Sequence, residues 1–77
     1  MFIHIGENKV VRKKDVVAIF DMESSTVSSV TKKYLSNAQK EGRVVALGYD
    51  LPRSFILMND KTIYLSSLTF KKIELNN

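Results

Sequence analysis

The sequence predicts an α+β fold: a small antiparallel sheet of five to six strands, one long helix and a short C-terminal helix. Two observations support this prediction. Short apolar runs alternate with turn-forming residues over most of the chain, which is typical of strands, and apolar residues recur every three or four positions in one central stretch, which is typical of a helix. The 77 residues contain no linker or repeat, so we expect a single domain spanning residues 1–77.

The first third of the chain predicts three strands. Residues 2–5 and 9–12 are apolar runs on either side of a turn that contains Gly6, which indicates a β-hairpin. Residues 16–20 (VVAIF) predict the third strand.

The long helix is predicted from Thr26 to Glu41. Ser24 or Ser25 can cap its first turn, and Gly42 can supply the left-handed residue that ends it. Its apolar face consists of Val27, Val30, Tyr34 and Ala38.

The remaining strands are predicted at residues 43–47, 53–58 and 62–66, the last two joined as a hairpin by the turn 59–61. A short helix then follows, with Ser66 or Ser67 as its cap. It should run through Ile73, with Lys71 and Lys72 in its last turn.

The strands are apolar on both sides. In the strand 53–58, alternation places Phe55 and Leu57 on one face and Ile56 and Met58 on the other. One long and one short helix can cover one face of such a sheet, so we expect apolar surface to remain for a second protomer. The alternative is that the sheet curls on itself and covers its own apolar residues.

The composition argues against catalysis and export. The absence of cysteine removes thiolate nucleophiles and disulfides and is typical of a reducing compartment, so we expect a cytoplasmic protein. We find no signal peptide and no apolar run long enough to span a membrane. His4 is the single histidine and is interpreted as a half-buried strand residue, and the glycines form no phosphate loop. We therefore expect no enzyme, no metal site and no cofactor.

Basic residues are the remaining functional signal. Twelve Lys and Arg against eight Asp and Glu give a net charge of +4, which favours a polyanionic partner such as double-stranded DNA. In a symmetric assembly each cluster would recur once per subunit and form a basic band. The candidate phosphate contacts are Arg12, Lys13, Lys14, Lys32, Lys33 and Arg53.

Three segments carry a resemblance to a known family. The strings FIHIGENKVV (2–11), KDVVAIFD (14–21) and RSFILMNDKTIYLSSLTFKK (53–72) resemble the bacterial extracellular matrix regulatory family, RemA and RemB, and most closely the RemB branch. The resemblance implies a fold similar to LytTR-type DNA-binding domains, closed homo-oligomeric rings and transcriptional control of biofilm matrix genes.

The resemblance also bears on the DNA contacts. In the DNA-binding branch, a run of arginines precedes the final hairpin, at the position that residues 49–53 hold here. Arg53 matches that pattern, whereas Asp50 carries the opposite charge. Two functions therefore stay open: a ring-forming DNA-binding regulator, and a non-catalytic module that self-assembles and binds a regulatory protein without specific DNA binding.

Overall fold

The protein is described by a computed structural model that covers residues 1–22 and 29–75. Its elements are the strands and helices of an α+β fold, which confirms the predicted class. Their order is β1 (Phe2–Gly6), β2 (Lys9–Arg12), a 3₁₀ turn (Lys13–Asp15), β3 (Val16–Asp21), α1 (Ser29–Lys40), β4 (Val44–Leu47), β5 (Ser54–Met58), β6 (Ile63–Ser66) and α2 (Phe70–Leu75).

The strands form two sheets, so the prediction of one antiparallel sheet of five to six strands is wrong. β1 and β2 form a separate antiparallel hairpin, and the other four strands form a sheet with the order β3-β5-β6-β4. In this sheet β4 pairs with β6 in parallel. β6 lies between β4 and β5, so these two strands, although consecutive in sequence, are not neighbours in the sheet.

The hairpin turn is the one that the sequence predicts. Glu7 and Asn8 both have positive φ angles, 47° and 62°. Two central residues of positive φ match the right-handed twist of the strands that they connect. A bulge between His4 and Gly6 adjusts the register of the hairpin.

Both faces of the four-stranded sheet pack against other elements of the chain, although apolar side chains of the edge strands, such as Phe20, stay partly exposed. On one face, Ile56 and Met58 pack against the β1–β2 hairpin and against Ile73 of α2. On the other face, Phe55 packs with Ala38 of α1. The alternation predicted for β5 is therefore confirmed, but the second face is covered by the hairpin that the prediction had placed within the sheet.

The helix ends differ in how well the sequence predicts them. Gly42 has a φ angle of 74° and follows α1, as predicted. The predicted start of α1, with Ser24, Ser25 and Val27, lies outside the described residues. For α2 the predicted cap is wrong, because the backbone N–H of Lys72 donates to the Oγ1 of Thr69 at 3.1 Å and neither Ser66 nor Ser67 caps the helix.

Candidate nucleic-acid interface

The four-stranded sheet has two ends that carry different polar residues. The turn end is where β5 and β6 are joined by residues 59–62, and the loop end is where residues 48–53 lead into β5. Antiparallel pairing aligns Val16 with Met58 at the turn end and Asp21 with Ser54 at the loop end. Arg53 and Asn59 are thus separated by roughly 20 Å along the strand.

The end of β2 and the 3₁₀ turn place three of the predicted phosphate contacts at the turn end. Arg12, Lys13 and Lys14 are exposed. Asp15, which follows them, accepts hydrogen bonds from Asn59 of the β5–β6 turn. The backbone N–H of Asn59 donates to the Asp15 carbonyl at 2.8 Å, and its side-chain amide donates to the Asp15 carboxylate at 3.3 Å. The Arg12 guanidinium forms an ion pair with Asp15 at 3.1 Å.

Two further cations, which the sequence analysis missed, lie at the same end. The Arg43 guanidinium donates to the backbone carbonyl of Lys61 at 2.7 Å and to Glu41 Oε1 at 2.9 Å. The hydrogen bond to Glu41 is the main reason why the pKa of Arg43 is raised above its ordinary value. Lys61 is exposed, in a turn where its φ angle is 72°. Only the strand register reveals this proximity, since Lys61 lies far from Lys13 and Lys14 in sequence.

These residues define a turn-end cluster consisting of Arg12, Lys13, Lys14, Arg43 and Lys61. Its two arginines are paired with Asp15 and Glu41. A third carboxylate, that of Asp60, accepts the backbone N–H of Thr62 at 2.9 Å, and this bond lowers the pKa of the Asp60 carboxyl. Within the part of the chain that the structure describes, the three lysines of the cluster form no ion pair.

The loop end presents a mixed surface around Arg53. Asp50, Leu51, Arg53 and Ser67 line an open depression of about 310 Å³. Arg53 is exposed, and its backbone is fixed by an N–H that donates to Ser66 O at 2.8 Å. Leu51 is 82% exposed. This end therefore combines one guanidinium with a carboxylate and an apolar side chain.

The two remaining candidates, Lys32 and Lys33, are exposed on α1. They do not belong to the turn-end cluster, because α1 reaches the turn end only at its C-terminus, where Gly42 leads into Arg43 and β4. The structure therefore divides the predicted phosphate contacts among three places: the turn end, the exposed side of α1 and the loop end.

An apolar groove lies beside the edge strand β3. It has a volume of about 270 Å³ and is open to solvent. Phe20 of β3 stacks on Phe55 of β5 in its floor, with ring centroids 4.6 Å apart. Val30 of α1 is 76% exposed at its rim. The lining residues are Phe20, Val30, Thr31, Tyr34, Phe55 and Leu57.

The residues considered for catalysis do not converge in the described part of the chain. His4 is half-buried in β1, opposite Val10 of β2. No group of three His, Asp or Glu side chains in residues 1–22 and 29–75 could hold a metal ion. Over the same residues, neither helix has the length and apolar character of a membrane span.

Comparison with known proteins agrees with the resemblance noted in the sequence. The family model described as RemA-like, extracellular matrix regulatory protein A-like, matches residues 2–75. The extracellular matrix regulatory protein B of Bacillus subtilis (strain 168) is 32% identical over 74 residues, which cover 94% of this chain and 88% of that protein. The chain therefore belongs to the RemA-like family of extracellular matrix regulatory proteins.

Proposed function

We propose that this protein is a cytoplasmic transcriptional regulator of extracellular matrix genes, which acts as a homo-oligomeric ring that binds double-stranded DNA. The family match over residues 2–75 carries the regulatory part of this proposal. The proposal includes neither catalysis nor a cofactor. A similarity to LytTR-type domains remains a prediction from the resemblance.

The apolar groove supports the assembly. It combines exposed apolar side chains, Phe20 and Val30, with the outer edge of β3, which has no partner strand among the described residues. Edge strands with exposed apolar surface are templates for pairing with another chain. In a closed ring each protomer would use the same two surfaces, and no surface would remain to extend into a fibre.

The exposed cations support DNA binding. Lysine and arginine on a surface contact phosphates, whereas base-specific reading requires side chains presented in a groove. The described helices do not form a helix-turn-helix pair, because β4, β5 and β6 separate α1 from α2. We therefore expect weak sequence preference, a steep dependence of affinity on salt, and an affinity that avidity around the ring raises above that of one protomer.

The second candidate function is a protein-interaction module. Its specific support is the 48–53 loop, where Tyr49 is fully exposed, Leu51 is largely exposed and Asp50 adds a carboxylate. Tyrosine is enriched at protein contacts, an exposed leucine adds apolar surface, and a carboxylate disfavours phosphate. This function keeps the assembly and omits specific DNA binding.

One pair of measurements separates the two functions. Light scattering after size-exclusion chromatography gives the mass, and a titration of labelled duplex DNA at several salt concentrations gives affinity and salt slope. We expect an assembly larger than a dimer, with DNA affinity tighter than the range of roughly 10⁻⁴ to 10⁻⁶ M that is typical of non-specific binding at physiological salt. An assembly whose affinity falls within that range would favour the protein-interaction module.

A further inference from the structure

We infer that this chain contacts DNA phosphates through the turn-end cluster and not through the 48–53 loop. The inference rests on the proposed DNA binding and names the surface that performs it. It assigns a contact role to Lys61, which lies far in sequence from Lys13 and Lys14.

The first argument is that the cluster is held together by contacts between elements. Asp15 binds Asn59 through backbone and side chain, which fixes the 3₁₀ turn against the β5–β6 turn. Arg43 binds the carbonyl of Lys61 and thereby joins the start of β4 to the same turn. The backbone of the three segments that carry the cations is therefore fixed by the fold, so the cations approach a ligand from a rigid framework and less backbone ordering is needed when it binds.

The second argument is that the lysines of the turn-end cluster are available to bind phosphate. Asp15 and Glu41 are paired with the two arginines, whereas the Asp60 carboxylate, which accepts a backbone N–H, keeps its negative charge. The lysines at 13, 14 and 61 are exposed and form no ion pair within the described residues. Lysine binds phosphate as a point charge, which suits contacts to a duplex backbone that carry no base information.

The third argument is the contrast with the loop end. There Arg53 shares its depression with Asp50, and the other side chains that line it are Leu51 and Ser67. A phosphate placed near Arg53 would also lie near a carboxylate, and like charges disfavour this position by an amount that salt only partly screens. Among the described residues, the turn end carries five cations against three carboxylates, a net charge of +2, whereas Arg53 is the one cation that lines the loop-end depression and it lies there beside one carboxylate.

The test compares two triple variants that remove the same charge. The first is Lys13→Ala, Lys14→Ala and Lys61→Asn, where asparagine is chosen because it tolerates the positive φ angle of residue 61. The matched control is Lys32→Ala, Lys33→Ala and Arg53→Ala. Both lower the net charge by three, so a general loss of electrostatic attraction affects them equally. Far-UV circular dichroism and light scattering verify fold and mass.

In the turn-end variant, the negative slope of log affinity against log salt should decrease in magnitude by about 2.7 for each protomer in contact, because each neutralised phosphate contributes about 0.9 to that slope. At 0.15 M salt this corresponds to a loss of affinity of about a hundredfold. The control variant should keep a slope close to that of the wild type.

Three results would overturn the inference, and they differ in what they say about the proposed function. A loss confined to the control variant would place the contacts at α1 and the loop end and would leave DNA binding intact. Equal losses in both variants would mean that net charge alone sets the affinity. Wild-type protein that binds duplex DNA only in the non-specific range would remove the proposed DNA binding together with the inference.

Discussion

The substitution Val30→Glu should break the assembly and leave the protomer folded. Val30 lines the apolar groove and is 76% exposed in the isolated chain. Because full burial of a valine contributes about 1.5–3 kcal/mol, covering Val30 at an interface contributes about 1–2 kcal/mol. An unpaired carboxylate buried at the same place adds a cost of several kcal/mol. The free energy of association is therefore weakened by at least about 3 kcal/mol per interface, which lowers the association constant more than a hundredfold.

The assay is light scattering after size-exclusion chromatography, with urea unfolding as a control for the fold. Glutamate is a better helix former than valine, so at this exposed position the stability of the protomer should change by no more than about 0.5 kcal/mol. Ser36→Glu, at another exposed position of α1, is the matched control and should keep the wild-type mass. A Val30→Glu protein with the mass of the wild type would refute the assignment of the groove to the interface.

Three other predictions concern stability. Ser66→Ala should lower the free energy of unfolding by about 2 kcal/mol in urea titrations, because the buried Oγ donates to a carbonyl of β1 at 2.5 Å and accepts an amide at 3.1 Å; an unchanged midpoint would contradict it. His4→Ala should cost about 1 kcal/mol and leave DNA binding unchanged, whereas lost binding with an intact fold would assign His4 a functional role. Because the pKa of Asp60 is lowered in the folded protein, its carboxylate stabilises the fold at pH values above the ordinary pKa of 3.8, and this contribution is lost as the pH falls through the lowered pKa. Asp60→Asn should therefore make the free energy of unfolding less sensitive to acid. An unaltered acid transition would contradict this.

Local patterns in the sequence predicted most of the elements. The alternation of Phe55 and Ile56 identified the two faces of β5, and Gly42 marked the end of the long helix, because both features depend on neighbouring residues only. The cap of α2 was misplaced from Thr69 to Ser66 or Ser67. Serine is a stronger cap signal than threonine, but the Ser66 hydroxyl is used in a contact between the two sheets and Thr69 caps the helix.

Pairing between distant strands was not predictable in the same way. Nothing in the local sequence states that the first hairpin leaves the main sheet, or that β6 inserts beside β4. The same limit applies to the candidate site. Lys13 and Arg53 were grouped by charge, but the register of β3 against β5 separates them and brings Lys61 to the Lys13 end instead. Three of the five residues of the turn-end cluster, Arg12, Lys13 and Lys14, are candidates from the sequence, whereas adding Arg43 and Lys61 and grouping the five required the fold.

The most direct test of the proposed function is sedimentation of fluorescently labelled duplex DNA with the wild-type protein at 0.15 M salt, because one boundary reports assembly and DNA binding together. The proposal predicts that the label sediments with a mass equal to one duplex plus more than two protomers, and that this boundary reverts to free DNA as salt is raised. Label that sediments as free duplex at micromolar protein, while the protein sediments as an assembly, would contradict DNA binding and support the protein-interaction module.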